Sequence, residues 1–303
     1  MPDFELSQIP MLSRSTLDRA EELRKDAAAL KQGWAGAGLL RVNPRGQVRL
    51  DGNALRLDMA AELAGEPAPE AVFLGVAAER HIWAVRDAEL TETSGDLRFL
   101  GASLDDTDAG ILVSALALLN WHDAAGFSSV DGAPTRPSAA GWSRTSDASG
   151  HEEFPRTDPA VICLVHDGAD RVLLARQPVW PEGMHSILAG FVEAGESLER
   201  CVVREIKEEV GLDVRDVRYL GSQPWPFPRS LMVGFAAVAD PAQPLVFADG
   251  EIADATWFTR DEVRTALAAG DWRAPAGGAA HRLLLPGTIS IARGIVESWV
   301  AAA

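Results

Sequence analysis

The sequence is short of cysteine, of basic charge and of long apolar runs, and each shortage removes a class of protein. Only Cys163 and Cys201 are present, one inside an expected strand and one inside an expected helix. That excludes a disulfide framework and fits free thiols in a reducing compartment. Lysine and arginine number 28 against 44 aspartates and glutamates, a formal net charge of -16. Non-specific nucleic-acid binding depends on cations meeting phosphates, so a broad electrostatic footprint of that kind is excluded. An anionic ligand must be held locally, and metal ions are the obvious means for an acidic protein. No run of eighteen apolar residues occurs, the start lacks a charged-then-apolar signal, and Val300-Ala301-Ala302-Ala303 is not a peroxisomal address. No membrane partner and a cytoplasmic location are therefore expected. At 303 residues, 47% of them apolar and 24% charged, the chain suits a globular protein of two domains.

What is present is concentrated between Gly190 and Leu212, which read GFVEAGESLERCVVREIKEEVGL. Leu198, Val202, Ile206 and Val210 are each four apart and share a helical stripe. Ser197 suits the N-cap and Gly211 the C-terminal stop. On such a helix Glu205, Glu208 and Glu209 share one side, with Glu209 at the edge of the apolar stripe. Like charges three and four apart repel, and carboxylates in a last turn face the negative end of the helix dipole. A solvated acidic face is the bland explanation, but the register against the apolar stripe disfavours it. A divalent cation reverses the sign, since Mg²⁺ takes oxygen ligands from a few carboxylates, substrate phosphates and water.

The stretch resembles the Nudix box, G-x5-E-x7-R-E-U-x-E-E-x-G-U with U a bulky aliphatic. Gly190, Glu196, Arg204, Glu205, Ile206, Glu208, Glu209, Gly211 and Leu212 fill every fixed position without insertion.

Along the chain, Ser13 to Leu30 has helical spacing. Short apolar runs at Gly38 to Val42, Gln47 to Leu50, Ala71 to Ala77, His81 to Val85 and Leu97 to Leu100 read as strands, and Asp108 to His122 as a helix. No catalytic cluster appears in this part, for which a structural or dimer-forming role is expected. From Pro159 the pattern alternates: strands Ala160 to Val165 and Val172 to Ala175 about a turn at Asp167-Gly168, a short strand Ile187 to Gly190, then the box helix. Strands Val217 to Leu220, Leu231 to Ala239 and Ala255 to Phe258 follow, with helices near Asp261 to Ala268 and Ser290 to Val300. The expected fold class is α/β: a mixed sheet flanked by helices over 158–303, which resembles the Nudix α/β/α sandwich, preceded by a smaller mixed α+β domain over 1–123.

Between them, 124–157 is rich in Gly, Ser, Ala, Asp and Pro and reads as a connector. Its wording resembles the zinc ribbon of the NADH pyrophosphatase branch of the Nudix family, in which two C-x-x-C knuckles hold zinc. Here Ser128, Asp131, Ser146 and Ser149 stand at those positions. A hydroxyl is a far weaker zinc ligand than a thiolate, so no structural zinc is expected, and Trp142, Phe127 and Phe154 are expected to substitute by packing.

Ten residues past the box lies Ser222-Gln223-Pro224-Trp225-Pro226-Phe227-Pro228-Arg229-Ser230. Three alternate prolines fix φ and forbid helix, so the rings of Trp225 and Phe227 sit on a stiff extended loop, able to stack on a base or a nicotinamide or else to plug the core. The nonapeptide resembles the S-Q-P-W-P-F-P-x-S signature of NADH pyrophosphatases. That resemblance implies hydrolysis of the diphosphate of NAD(H) to nicotinamide mononucleotide and AMP, with two or more Mg²⁺ or Mn²⁺ ions per site, in a homodimer. The NAD cap of an RNA 5′ end, the same bond in a larger molecule, is a second substrate that the resemblance leaves open. It implies metal donors at the Gly190 carbonyl, Glu205, Glu208, Glu209 and Glu251, the last also a candidate general base, with Arg204 orienting Glu205 and Glu196 pairing with Arg204. It implies a substrate lining of Phe154, Phe191, Gln223, Trp225, Ser230 and Ser290, with Phe154 and Phe191 stacking on nicotinamide. The rivals are hydrolysis of ADP-ribose, FAD or dinucleoside polyphosphates, which a substrate panel separates, and a nucleotide sensor without catalysis, which would not need so complete a ligand set.

Overall fold

A computed structural model describes residues 4–248, 250–272 and 283–302. Asp249, which precedes Gly250 in the loop carrying Glu251, and Ala303 lie outside them. The chain forms two compact units, one of Met1–Met11, Asp158–Gln223 and Leu231–Ala303, the other of Leu12–Thr157 and Pro224–Ser230.

In the first unit the sheet order is Val214–Trp225, Ser230–Ala239, Asp158–His166, Arg171–Arg176, Asp254–Thr259, with Leu188–Phe191 antiparallel to Asp158–His166. Strand side chains alternate between faces, and the run Val161 to Val165 is apolar without a break because both faces are covered. Val161, Cys163 and Val165 join one core with Cys201, Val202, Ile206 and Val210 of the helix Leu198–Val210. Ile162 and Leu164 join another with Val263 of the helix Arg260–Ala269 and Ile291, Ile295, Val296 and Trp299 of the helix Ile291–Ala301. This is the expected sandwich, one sheet with helices on each side. Both cysteines are buried and free.

The second unit holds a sheet ordered Asp58–Met59, Gly38–Val42, Arg80–Arg86, Val72–Ala77, with Gly38–Val42 parallel to Arg80–Arg86. Trp34, Leu39, Phe73 and Trp83 fill its core, and the helix Asp106–Ala124 lies on Val72–Ala77 and Arg80–Arg86. Two sequence expectations need correction here. Ser13 to Leu30 is not one helix: Ala20 is left-handed at φ 40°, Glu21–Lys25 is a short 3₁₀ turn, and Asp26 caps a new helix, Ala27–Trp34, by accepting from the amides of Ala28 and Ala29. Leu97–Leu100 is a helical turn rather than a strand, because the Asp96 carboxylate accepts from the amides of Arg98 and Phe99 and caps it.

The connector has strands of its own. Thr135–Ser138, Ser143–Ser146 and Glu152–Glu153 form a three-stranded antiparallel sheet. At its knuckles Ser146 Oγ donates to Asp131 Oδ2 at 2.8 Å, and Ser149 Oγ donates to the same oxygen. Ser128 Oγ donates to Glu153 at 2.9 Å, and Ser128 and Ser146 accept from the amides of Val130 and Ala148. A carboxylate serves as the hub of hydroxyl donors. Of the aromatics expected to substitute by packing, only Trp142 does so, through its indole N–H to the Phe73 carbonyl at 2.6 Å and the guanidinium of Arg24 over its ring. Phe127 and Phe154 are 69% and 54% exposed.

The donors from Ser149, the Ala133 amide and Ser146 draw the Asp131 carboxyl from its ordinary 3.8 down to about 2. A depressed carboxyl contributes stability fully above its ordinary value and loses it as pH falls through the depressed one. Asp131→Ala is therefore expected to lower the urea midpoint at pH 7, with the gap to wild type closing as pH falls from 3.8 to about 2. Equal midpoints at neutral pH would show that the hub contributes nothing.

Candidate active site

The helix Leu198–Val210 is fixed at both ends. Ser197 Oγ accepts from the Arg200 amide, and Gly211 ends the helix at φ 78°, a left-handed turn that glycine adopts without strain. Its buried stripe is set against the sheet, which leaves Arg204, Glu205 and Glu208 toward the end of the strand Leu188–Phe191. Sequence periodicity thus converts directly into the placement of three charged groups.

Arg204 is the centre of the cluster. Its Nε and Nη2 donate to the two oxygens of Glu196 at 2.9 and 2.8 Å, a bidentate pair. One nitrogen, Nη1, donates to both Glu205 at 2.8 Å and Glu208 at 2.9 Å. Nη2 also donates to the Phe191 carbonyl at 3.0 Å, and Cys201 Sγ donates to that carbonyl at 3.4 Å, so the entry of the box loop is tied to the helix. The Arg204 guanidinium holds the Glu196 carboxyl down at about 2, and the surrounding carboxylates hold Arg204 protonated, its pKa raised.

Glu205 is different. Burial pushes its carboxyl up, Arg204 opposes that, and the charges of Glu208 and Glu251 push it up again. The last contribution brings Glu251, from the loop before Asp254–Thr259, into the electrostatic neighbourhood of Glu205 although 46 positions separate them in sequence. Glu209 is 3% exposed, as its place on the edge of the apolar stripe required. Gly190 pairs with Val161 in the sheet, and a Cβ at that position would stand 1.9 to 2.2 Å from the Glu205 carboxyl atoms. The carboxylate lies in the space a side chain would occupy.

Among the described residues no group of three or more His, Cys, Asp or Glu is already arranged as a metal cage. The donor set nonetheless fits a hard divalent cation: two carboxylates converge on one nitrogen, the next residue, Glu209, is buried, and a glycine opens room against Glu205. A cation shared by these oxygens would offset their mutual repulsion, as the Arg204 guanidinium does for Glu205 and Glu208.

The other expected site residues are placed as follows. Phe191, at the end of its strand, is 59% exposed. Gln223 is fully buried, its Nε2 donating to the Ile289 carbonyl at 2.9 Å, one residue before Ser290. Ser290 caps Ile291–Ala301 by accepting from the Ala292 amide at 3.2 Å. Trp225 and Phe227 are half-buried and meet edge to face with centroids 4.9 Å apart. Ser230 is 8% exposed, and Phe154 follows the connector sheet with its ring exposed. The Cys201 contact to the box loop had no signal in the sequence, because a lone thiol within an apolar stripe looks like core.

Fold and site together define a Nudix hydrolase. The NUDIX domain family matches residues 156–277. Over its length the chain is similar to the NAD-capped RNA hydrolases NudC of Mycobacterium bovis and Mycobacterium tuberculosis, each 61% identical over 99% of this chain and 97% of the relative. It is 42% identical to the mitochondrial NAD(P)H pyrophosphatase NUDT13 of Mus musculus, over 71% of this chain and 61% of that protein. Among solved structures it is similar to a NUDIX hydrolase from Nitrosomonas europaea, 20% identical over 45% of this chain and 78% of that one, at a TM-score of 0.39. The chain belongs to the NADH pyrophosphatase family of Nudix enzymes.

Proposed function

We propose that this protein hydrolyses the diphosphate of NAD(H), releasing AMP and nicotinamide mononucleotide. The observation that carries the chemistry is the convergence of Glu205 and Glu208 on one guanidinium nitrogen, with Glu205 against Gly190. Nudix hydrolases generally use divalent metals. Glu205, Glu208, Glu209, Glu251 and the Gly190 carbonyl are the proposed donors, for two or more Mg²⁺ or Mn²⁺ ions. Bound there, such ions neutralise phosphoryl oxygens and lower the pKa of water.

The chain's own residues do the rest. Arg204, held by Glu196, fixes the rotamers of Glu205 and Glu208, so the carboxylates lose little freedom on binding a cation. Glu251 is the candidate to take the proton from the attacking water. Phe154, Phe191, Trp225, Ser230 and Ser290 are the proposed substrate contacts. Gln223, buried with its Nε2 bonded to the Ile289 carbonyl, is proposed as a further substrate contact beside Ser290. The connector is proposed to hold no zinc, the chain to work in the cytoplasm as a homodimer, and no helix among the described residues is long and apolar enough to cross a membrane.

The same bond occurs at the 5′ end of NAD-capped RNA, and the name of the 61% identical relatives favours this as a second substrate. With a net charge of -16, the cap rather than the RNA backbone would be recognised.

Purified protein should release AMP from NADH with Mg²⁺ or Mn²⁺, stop on addition of a chelator, resume when the divalent ion is restored, and leave monophosphorylated RNA from an NAD-capped transcript. No release with any divalent ion would favour a sensor, and faster cleavage of ADP-ribose than of NADH would displace the nicotinamide assignment.

A further inference from the structure

The segment Pro224–Ser230 belongs to the same compact unit as Leu12–Thr157, and side chains of that unit hold it. Pro224, Pro226 and Pro228 have no N–H, so the segment has few donors of its own. Within it the Phe227 amide donates to the Trp225 carbonyl at 2.7 Å. Two of the remaining carbonyls take their donor from Asn120, near the end of the helix Asp106–Ala124. Its Nδ2 donates to the Pro226 carbonyl at 3.1 Å and to the Pro228 carbonyl at 2.9 Å.

The other end of that amide is fixed as well. Arg86 Nη2 donates to Asn120 Oδ1 at 3.0 Å and to Asp123 at 2.6 Å, while its Nη1 donates to the Asn43 carbonyl at 2.9 Å. A guanidinium cannot accept and a proline carbonyl cannot donate, so only one orientation of the Asn120 amide satisfies both sides. A second hold falls on the ring itself: the Arg98 guanidinium carbon stands 3.8 Å from the centroid of Phe227, which in turn meets Trp225. Two routes therefore run from the N-terminal part into the loop, Arg86 through Asn120 to its backbone and Arg98 to its rings.

We propose that Asn120, oriented by Arg86 and seconded by Arg98, is a positioning residue for substrate selection, which fixes Trp225 and Phe227 in the pose that receives the nicotinamide end. This rests on the proposed substrate contact at Trp225, with nicotinamide taken as the part of the substrate that the loop meets beside Phe154 and Phe191. It gives the first part of the chain a specific share in recognition, beyond the structural or dimer-forming role expected from its sequence. A loop with three prolines is stiff but not located, and a clamp on two of its carbonyls supplies the location.

The test uses the full chain with Mg²⁺, NADH as substrate, and ADP-ribose, which keeps the adenosine diphosphate but lacks nicotinamide, as second substrate or as competitive inhibitor. Asn120→Asp preserves size and the acceptor for Arg86 but turns an oxygen toward two carbonyl oxygens. It should raise KM for NADH on the order of tenfold, with kcat and the parameters for ADP-ribose close to wild type, and Asn120→Gln should recover part of the loss. Arg98→Met, which keeps the stem and removes the charge, should raise the same KM by a few-fold and is informative if Asn120→Asp folds poorly. Trp225→Ala separates the two levels. If it raises KM for NADH while the Asn120 and Arg98 variants do not, the clamp is overturned and the loop reading stands. If Trp225→Ala leaves KM for NADH unchanged, the loop reading falls and takes the clamp with it. Equal losses for NADH and ADP-ribose in the Asn120 variant would mark a general structural role and overturn the proposal.

Discussion

Glu208→Gln is expected to cut divalent-dependent AMP release from NADH by roughly 10²–10³-fold while leaving the melting temperature almost unchanged. The Glu208 side chain is 53% exposed, and its ion pair with Arg204 is a surface i,i+4 contact that contributes little to folding. Glutamine keeps the volume and one hydrogen-bond acceptor for Arg204. It also removes one of the two like charges that add to burial in raising the Glu205 carboxyl. What it cannot supply is an anionic oxygen for a cation. Activity and stability should therefore separate cleanly, and a steady-state assay beside a thermal melt reads both. A variant within a few-fold of wild type would remove Glu208 from the ligand set.

Gly190→Ala should be nearly as damaging, by a route the consensus does not reveal. The added methyl would coincide with the Glu205 carboxyl group at 1.9 to 2.2 Å, so one of them must move. The end of a glutamate moves more easily than a strand paired through Val161, and the protein should still fold. The displaced carboxylate would then be misplaced by at least a bond length relative to Arg204 and Glu208, an error of a size that costs on the order of 10²-fold in rate. Full activity in Gly190→Ala would mean that the Glu205 position seen here is not the working one. Loss of folding would mean that the strand rather than the carboxylate yields.

The box was legible in the sequence because its requirements are local. A helix with an apolar stripe, a cap at Ser197 and a stop at Gly211 places its glutamates by periodicity alone. The proline-aromatic loop was legible for a related reason, since Pro224, Pro226 and Pro228 restrict their own backbone. The first domain was less so. Ala20 and Asp26 break what periodicity reads as one helix, and Asp96 turns an apolar run into a helical turn, because a short side chain capping the backbone outweighs the pattern of its neighbours. Long-range pairings are not legible from spacing, and only the family resemblance grouped Glu251 with Glu205. Neither the reach of Asn120 to Pro226 and Pro228 nor the electrostatic link between Glu251 and Glu205 follows from spacing, because each depends on how distant segments are brought together in space.

The knuckles of the connector, with Asp131 as acceptor for Ser146 and Ser149, contain no sulfur. Peroxides convert exposed thiolates stepwise to acids that no longer bind metal, and they have no such target here. Oxidative stress that would dismantle a thiolate-held ribbon should leave this one intact. The chemistry that most often ages such a module is missing from it.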